Sequence, residues 1–497
     1  MTSRRPHCNL DSLLRTNKIL RRDFLGIGTG IAATGLAGPL WADSSRSGPL
    51  TRPKKQELND TRCKIVLELD GHINVDTSTQ ERDEEIGAKV RATSTLDYFE
   101  RLGWHEDAVN MAARSYNEAK VEHWVAGTTQ KLQLRKECRQ TILQERDGRM
   151  QQYSDTAEIL NYQEVELLSS PINTAVLDLL LPTVPAKPNQ RWNLSAGDAA
   201  KIFNLDAVHL CEISAHIVKV DGAEAVMELE GNLEGSANSV HTKLQVTGNF
   251  RAKLGRQCTL VTWVGAVIHE QRDVSQSEPG FDITARVRLI RAEESESPIQ
   301  ITYDQLIAKS REDESTRWLS RFSSEAGAFS LLADRKWSFY VNGGEESILR
   351  LVENNSVIAQ CNVSRLSKMP SGTQITLEGF QSDIQQSLST NFGEILEARE
   401  TVTSSKLRCL RGVVMGTIDE VPIQWIYAHV SDDTGRRMAI VFTLAADKVD
   451  RLAGSDEQIV DSFQFLASNE SVGPSTASAS AEQASVVNKL GNSQSVR

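Results

Sequence analysis

Histidine and cysteine side chains, which often bind transition metals, are grouped near position 210 of this sequence. His209 and Cys211 are two residues apart, so on an extended strand both side chains would lie on one face and could contact the same ion. His216 falls on the opposite face, and this strand alone does not bring three ligands together. We therefore predict histidines scattered along a strand here, and no metal site.

A second group with chemical potential is Trp104-His105-Glu106-Asp107, in which an imidazole adjoins two carboxyl groups. Acid–base catalysis would require these groups to be buried together. Neighbours in sequence point in different directions, which favours a polar loop. The motifs His-Glu-x-x-His, Gly-x-Ser-x-Gly and the phosphate loop do not occur. No catalytic residue, metal ligand or cofactor is predicted, and enzymatic activity is left open as the less favoured function.

The N-terminus combines basic residues with a weakly apolar stretch, residues 24–41, which contains five glycines and so is poorly suited to remain in a bilayer. It resembles a twin-arginine export signal, and the residues that carry the resemblance are Arg21, Arg22, Phe24 and Leu25. Cleavage would follow Ala42. The resemblance implies export by the twin-arginine translocase to the periplasm or beyond, with no stable membrane span in the mature form.

The chain is acidic. Removing residues 1–42 would remove six basic and two acidic residues and change the formal net charge from −11 to −15. A surface of this sign repels phosphate backbones, so no nucleic-acid partner is predicted.

Six cysteines would remain in the mature chain, namely Cys63, Cys138, Cys211, Cys258, Cys361 and Cys409. An exported protein can form disulfides, but no pair has the Cys-x-x-Cys spacing of a redox or zinc site. Two interpretations stay open. Most of these residues are small buried hydrophobes in strands, or at least one structural bridge forms, with Cys361–Cys409 as the candidate.

Alternation of apolar and polar residues predicts long strands after Cys63, from Val240 to Leu254 and from Phe281 to Leu289. Residues 260–268 are apolar on both faces and should lie centrally. With short turns such as Gly231 to Ser236, these strands predict a large, curved antiparallel sheet. Short helices are expected over residues 156–168 and from a cap at Ser195, and residues 101–133 mix the helix and strand periods, so no element is assigned there.

The second half of the chain predicts an α+β domain. A helix with Leu377, Phe380, Ile384 and Leu388 on one stripe precedes four strands, and a terminal helix follows with Ser455 and Gln458 spaced as a capping box. The predicted organisation is a signal (1–42), a leader (43–59), a β-rich domain (60–293), a linker (294–325), an α+β domain (326–466) and a disordered tail (467–497).

The second domain resembles the PsbP-like fold. The residues that carry the resemblance are Phe329-Ser330-Leu331-Leu332, Trp337-Ser338-Phe339, the amphipathic helix, and the closing run Ile459 to Phe465. This resemblance implies a compact α/β/α sandwich that binds or assembles other proteins and mostly lacks a catalytic centre.

The first domain is similar to secreted bacterial β-rich proteins that have a Val/Pro-rich stretch ending in Gly-Asp-x-Trp; the stretch here, Val184 to Trp192, has the Trp and lacks the Gly-Asp. Several of those proteins are open half-barrels of the periplasmic lipoprotein-carrier type, which implies a curved sheet with a concave face.

The sequence therefore favours an exported, non-enzymatic protein that binds a hydrophobic small molecule or a protein partner. A cofactor-free or metal-dependent periplasmic enzyme and a structural component of the cell envelope remain the alternatives.

Overall fold

The computed structural model describes residues 50–53, 60–74, 87–105, 108–125, 127–146, 148–187, 189–237, 239–255, 259–275, 280–309, 315–342, 344–353 and 356–467. The predicted export signal with Ala42, most of the leader, Glu106, Asp107, Cys258 and residues 468–497 lie outside this set. What is described divides into two compact units, residues 50–318 and residues 319–467.

The described part of the first unit is built mainly from strands. In chain order they are β1 Thr61–Asn74, β2 Gly87–His105, β3 Ala108–Val125, β4 Thr128–Gln133, β5 Gln140–Arg146, β6 Arg149–Ser154, β7 Arg191–Asn193, β8 Ala207–Cys211, β9 Ser214–Asp221, β10 Glu224–Ala237, β11 Val240–Leu254, β12 Thr259–Arg272 and β13 Gly280–Glu293. The helices are α1 Tyr162–Leu167, α2 Ala196–Phe203 and α3 Tyr303–Lys309, with 3₁₀ helices at Lys136–Cys138, Thr174–Leu180 and Ser315–Trp318.

All these strands belong to one sheet, in the order β6-β5-β3-β2-β1-β13-β12-β11-β10-β9-β7, with β4 beside β3 and β8 beside β10. Neighbouring strands are antiparallel, and β1 lies between β2 and β13 in the middle of the sheet. The prediction of a large antiparallel sheet is confirmed.

One face of this sheet, which we call the inner face, carries Cys63, Ile65 and Leu67 of β1 and is buried. The other face, the outer face, carries Lys64, Glu68 and Asp70 of the same strand. In β11 the same alternation buries Val246 and Phe250 while their neighbours are exposed. The strand runs from Val240 to Leu254, as predicted, because one of its faces meets the core and the other meets water.

Two local predictions for the first unit need correction. Residues 231–236 form no turn, because β10 continues through them to Ala237. Gly231 has a φ of +144°, and a Cβ there would lie 2.2 Å from the Glu212 carbonyl oxygen, so glycine is required for close backbone approach. The helix predicted over 156–168 begins only at Tyr162, because the Asn161 N–H donates to the Glu164 carboxylate and caps the helix there.

The predicted linker of residues 294–325 is divided between the two units. Leu306 of α3 packs against Met111 and Ile142 on the outer face of the first sheet, and Trp318 packs against Tyr153. The second unit begins with a strand at Leu319, seven residues before the predicted boundary at residue 326.

The second unit has a three-stranded and a seven-stranded sheet, ordered β14-β15-β23 and β16-β17-β18-β22-β21-β20-β19. Its strands are β14 Leu319–Ser324, β15 Phe329–Asp334, β16 Trp337–Asn342, β17 Glu346–Glu353, β18 Ser356–Leu366, β19 Phe392–Val402, β20 Arg408–Ile418, β21 Val421–Ser431, β22 Arg437–Ala445 and β23 Gln464–Phe465. Its helices are α4 Leu377–Leu388, α5 Val449–Leu452 and α6 Ser455–Asp461, with 3₁₀ helices at Ser389–Asn391 and Ala446–Lys448.

Helix α4 packs its predicted apolar stripe against the larger sheet of this unit. Phe380, Ile384 and Leu388 are buried against Leu410 and Trp425. The predicted terminal helix is instead two short helices, since Ala453 and Gly454 both have positive φ. The Ser455 hydroxyl donates to the Leu452 carbonyl, and the predicted capping box does not form. None of the described helices is long and apolar enough to cross a bilayer.

The predicted Cys361–Cys409 disulfide is also corrected, because both thiols are free and buried. Cys361 lies in β18 and Cys409 in β20, with β22 and β21 between them. Three strand spacings amount to about 14 Å, whereas a disulfide requires Cα atoms less than about 7 Å apart.

Alkylation without a reductant tests this arrangement. In denaturant, iodoacetamide should label Cys361 and Cys409 fully, and peptide mass spectrometry would show both adducts. In the native protein both thiols should be protected, because burial raises the pKa of each. A peptide pair joined with the loss of two hydrogens would contradict the structure.

Candidate functional site

A buried segment of the first unit lies against the inner face of the sheet. It comprises residues 170–182, which we call the crossing segment, and it contains the 3₁₀ helix Thr174–Leu180. Every residue in it except Leu179 is buried. The 3₁₀ helix contacts both β3 and β12, which have β2, β1 and β13 between them in the sheet. The crossing segment therefore spans the middle of the inner face.

Buried backbone outside regular structure needs hydrogen-bond partners, and side chains from other elements supply them. The Arg52 guanidinium donates to the carbonyls of Leu179 and Leu181, at 2.8 and 2.7 Å. The Trp192 indole N–H donates to the Leu180 carbonyl, and the Asn204 amide donates to the Ser170 carbonyl. Polar contacts therefore hold the crossing segment at its edges.

At its centre, Thr174 joins the crossing segment to β2 and β3. The Thr174 hydroxyl donates to Glu100 Oε1 at 2.7 Å. Its single proton is thereby used, so the Tyr98 hydroxyl donates to Thr174 Oγ1 at 2.8 Å, and Arg114 Nη2 donates to the same atom at 3.0 Å. Arg114 also pairs with Glu100 at 2.8 Å. All of these side chains are buried.

Arg291 of β13 makes the second central attachment, and its side chain is fully buried. Its Nη2 atom donates to Asp178 Oδ1 at 2.5 Å, and its Nη1 atom donates to the Thr174 carbonyl at 3.2 Å. The backbone N–H of Val261 in β12 also donates to Asp178 Oδ1. We call Tyr98, Glu100, Arg114, Thr174, Asp178 and Arg291 the inner polar network.

Apart from Ser170 and Asn173, the rest of the crossing segment is apolar. Ala175 packs with Ala112 of β3 and Leu143 of β5. The other buried apolar residues are Pro171, Ile172, Val176, Leu177, Leu180, Leu181 and Pro182, and Leu179 is partly exposed. This segment thus presents an aliphatic surface with one carboxylate, Asp178, to the inner face.

The charged state of the network follows from its contacts. Burial acts to lower the pKa of Arg114, but the oxygens of Tyr98, Glu100 and Tyr116 outweigh it and raise that pKa well above its ordinary value. Burial likewise opposes the charge of Arg291, and Asp178 outweighs it, so the pKa of Arg291 is raised. Both guanidinium groups are therefore charged inside the protein.

A cysteine lies beside this network without being activated by it. Cys63 Sγ is 4.0 Å from Glu100 Oε2. Burial, followed by the Glu100 charge, raises the pKa of the Cys63 thiol to about 12. Because the thiolate is the nucleophile, this cysteine is unreactive at neutral pH. The arrangement suits recognition of a charged group in apolar surroundings rather than nucleophilic catalysis.

The residues considered as metal ligands from the sequence are separated by the structure. The Cys211 thiol donates to the Leu194 carbonyl at 3.6 Å. His216 lies 3.4 Å from Glu228 on the neighbouring strand. His209 instead meets Glu234 of β10 at 3.8 Å. His105 ends β2, and its predicted carboxylate neighbours are outside the described residues.

None of the residues in the inner polar network was selected from the sequence. They come from β2, β3, β13 and the crossing segment, so no spacing along the chain links them. A signal was nevertheless present, because Arg291 falls on the apolar face of the predicted strand after Phe281, where a charged residue requires an explanation.

No protein-family model matches the chain, and no curated protein sequence matches it. Among solved structures, it is similar to a Bacteroides thetaiotaomicron protein (12% identity, TM-score 0.23, 30% of this chain and 49% of that one). It is also similar to lipovitellin (10% identity, TM-score 0.26, 49% and 26%) and to PsbP from Synechocystis (15% identity, TM-score 0.25, 31% and 96%). The chain spans about half the length of the Bacteroides protein and about a quarter of lipovitellin.

Proposed function

We propose that this chain is an exported, non-enzymatic protein whose first unit binds a long-chain aliphatic carboxylic acid in place of the crossing segment. The observation that carries the proposal is that the ion-pair partner of buried Arg291, among the described residues, is Asp178 of the crossing segment. Export is proposed from the N-terminal residues that resemble a twin-arginine signal.

The crossing segment has the chemistry of the proposed ligand. Asp178 supplies a carboxylate, and the neighbouring Leu177, Leu180 and Leu181 supply aliphatic surface. If the segment is displaced, Arg291 loses the Asp178 carboxylate and the Thr174 carbonyl, and it keeps its bond to the Val261 carbonyl. A guanidinium in that position binds an incoming carboxylate by charge-assisted hydrogen bonds, which are stronger than neutral ones.

A buried ion pair is a poor way to gain stability alone. Desolvating two charges costs about as much as their attraction returns, and apolar replacements are often equally stable. Stability alone would therefore be served by apolar residues at positions 178 and 291. The charged pair therefore favours an attachment of the crossing segment in which a ligand carboxylate can replace Asp178.

The proposal also requires a concave inner face. A 3₁₀ helix rises about 2 Å per residue, and Thr174–Leu180 is bent at Val176, whose φ and ψ are non-helical, so its ends are less than about 12 Å apart. The strands β3 and β12, both in contact with this helix, are four strand spacings apart, or about 19 Å along a flat sheet. A curved sheet would bring both strands towards this short segment, so we propose a half-barrel for the first unit and an α/β/α sandwich for the second.

Asp178→Asn is the variant that tests this proposal. Binding of dodecanoic acid and of dodecanol is measured by isothermal titration calorimetry on the full chain. We expect Asp178→Asn to bind dodecanoic acid at least about 10-fold more tightly than the unmodified protein, since one charge-assisted hydrogen bond corresponds to about 1.5–3 kcal/mol. Dodecanol should gain much less, because it has no carboxylate for Arg291.

The matched control is Asp221→Asn, which removes the same charge from an exposed pair with Lys219. It should leave both affinities unchanged. Thr174→Val is a second variant that loosens the crossing segment while keeping Asp178, and dodecanoic acid should raise its melting temperature. The proposal is wrong if folded Asp178→Asn protein binds neither compound, or binds dodecanol as tightly as the acid.

A further inference from the structure

Two histidines and a glutamate converge on the outer face of the first sheet, away from the inner polar network. His209 of β8, Glu234 of β10 and His241 of β11 each offer one ligand atom, and these atoms all lie within 4.8 Å of one another. Each imidazole Nε2 is 3.8 Å from Glu234 Oε2. The two rings are stacked with centroids 6.0 Å apart.

The sheet register explains why these side chains meet. Glu234 and His241 lie two positions apart across the β10–β11 pair, where Ser236 is directly opposite His241. A bulge in the β8–β10 pair sets Val208 opposite Gly235 and Leu210 opposite Glu234, so His209 is the extra residue between them. Bulges change the direction of side chains, and the bulge at His209 occurs where this side chain contacts Glu234.

Neighbouring charges leave the three ligand atoms available. Asp273 Oδ2 is 3.3 Å from His241 Nδ1, so it can accept that N–H and leave Nε2 as the lone-pair nitrogen. Such carboxylate–histidine contacts are the usual outer partners of metal-binding imidazoles. Lys243 lies 3.6 Å from the other oxygen of Glu234, Oε1.

From this geometry we propose that His209, Glu234 and His241 form a binding site for a borderline divalent cation of the Zn²⁺ class. Two imidazoles and one carboxylate are a common ligand set for Zn²⁺, with water in the fourth position. Tetrahedral bonds of about 2.05 Å place ligand atoms about 3.3 Å apart, so the present separations need to close by only a fraction of an ångström up to about 1.5 Å. The ion would join β8 to β10 and β11.

Calorimetric titration of the full chain with Zn²⁺ tests the site, with Mg²⁺ as the hard-ion comparison. We expect saturable binding of Zn²⁺ and none of Mg²⁺. His209→Gln, Glu234→Gln and His241→Gln should each weaken Zn²⁺ binding at least about 10-fold, and Asp273→Asn should weaken it less. His216→Gln, which alters a histidine with one carboxylate partner, should leave the affinity unchanged.

Hydrogen exchange gives a second, independent readout. Zn²⁺ should slow amide exchange across Ala207–Cys211 in the unmodified protein and not in His241→Gln. Absence of saturable Zn²⁺ binding, or equal affinity in the unmodified protein and all three ligand variants, would overturn the site.

Discussion

Replacing Arg291 with Met is expected to lower the free energy of unfolding of the first unit by about 3–5 kcal/mol, because Asp178 would be left as a buried charge without its cation. Met retains most of the length of the Arg side chain, so lost packing contributes little. The Arg291 side chain is fully buried, and solvent does not screen the interaction. Hydrogen exchange of β12 and β13 peptides across a urea series measures the change within the first unit.

The double variant Arg291→Met/Asp178→Asn separates charge from packing. It should recover at least about 2 kcal/mol of the loss, since no charge then remains unpaired. As a control, Lys219→Met breaks an exposed pair and should change the stability by no more than about 0.5 kcal/mol. An Arg291→Met effect as small as this control would mean that Arg291 does not anchor the crossing segment.

Part of the inner polar network could not be predicted because β3, which carries Arg114, does not alternate cleanly. The pairing of β2 with β3 shifts between Asp97 and Tyr98 and again between Gly103 and Trp104. Each shift leaves an extra residue in β3, Asn117 or Asn110, and so changes the face on which the neighbouring β3 side chains lie. In addition, α3 covers the outer face of β3 while Ala175 packs on its inner face, so apolar residues occur on both. Residues 101–133 therefore mix the helix and strand periods.

Elements with one face in water were predictable from their sequence. The strand Val240–Leu254 has the predicted bounds, and in Leu377–Leu388 three of the four predicted stripe residues are buried. In both elements the buried residues recur with the period of the strand or helix, because the core covers one side and water the other. Trp425 of β21 is likewise buried, and it packs against α4.

Predictions failed where the role of a residue depends on contact with a part of the chain that is distant in the sequence. Glycines at 231 and 235 suggested a turn, but both lie where another backbone approaches β10 closely, from Glu212 and Ala207 respectively. At both positions only glycine leaves room for the neighbouring backbone, and rules for local turns do not consider such contacts. His209, Glu234 and His241 are a related case, since their proximity depends on a bulge in strand pairing that no local pattern indicates.

Acidification is expected to destabilise the second unit through His429. This residue of β21 is 5% exposed, and its ring is 6.3 Å from that of Phe380. Burial, and then the positive charges of Arg437 and Arg408, lower its pKa from 6.5 to about 4. Because the unfolded chain binds the proton more readily, stability is fully present above pH 6.5 and falls as the pH drops from 6.5 to 4. The loss amounts to about 3 kcal/mol at 1.36 kcal/mol per pKa unit.

His429→Leu tests this assignment, because Leu fits an apolar site and does not titrate. Unfolding of the second unit, followed by hydrogen exchange of β20–β22 peptides at pH 7 and pH 4.5, should show a pH-dependent loss about 2–3 kcal/mol smaller in His429→Leu than in the unmodified protein. His216→Gln, a change at a partly exposed histidine of the first unit, should not alter the response of the second unit. An identical acid response in His429→Leu and the unmodified protein would show that other groups cause it, because a neutral imidazole buried beside Phe380 must be protonated when the chain unfolds in acid.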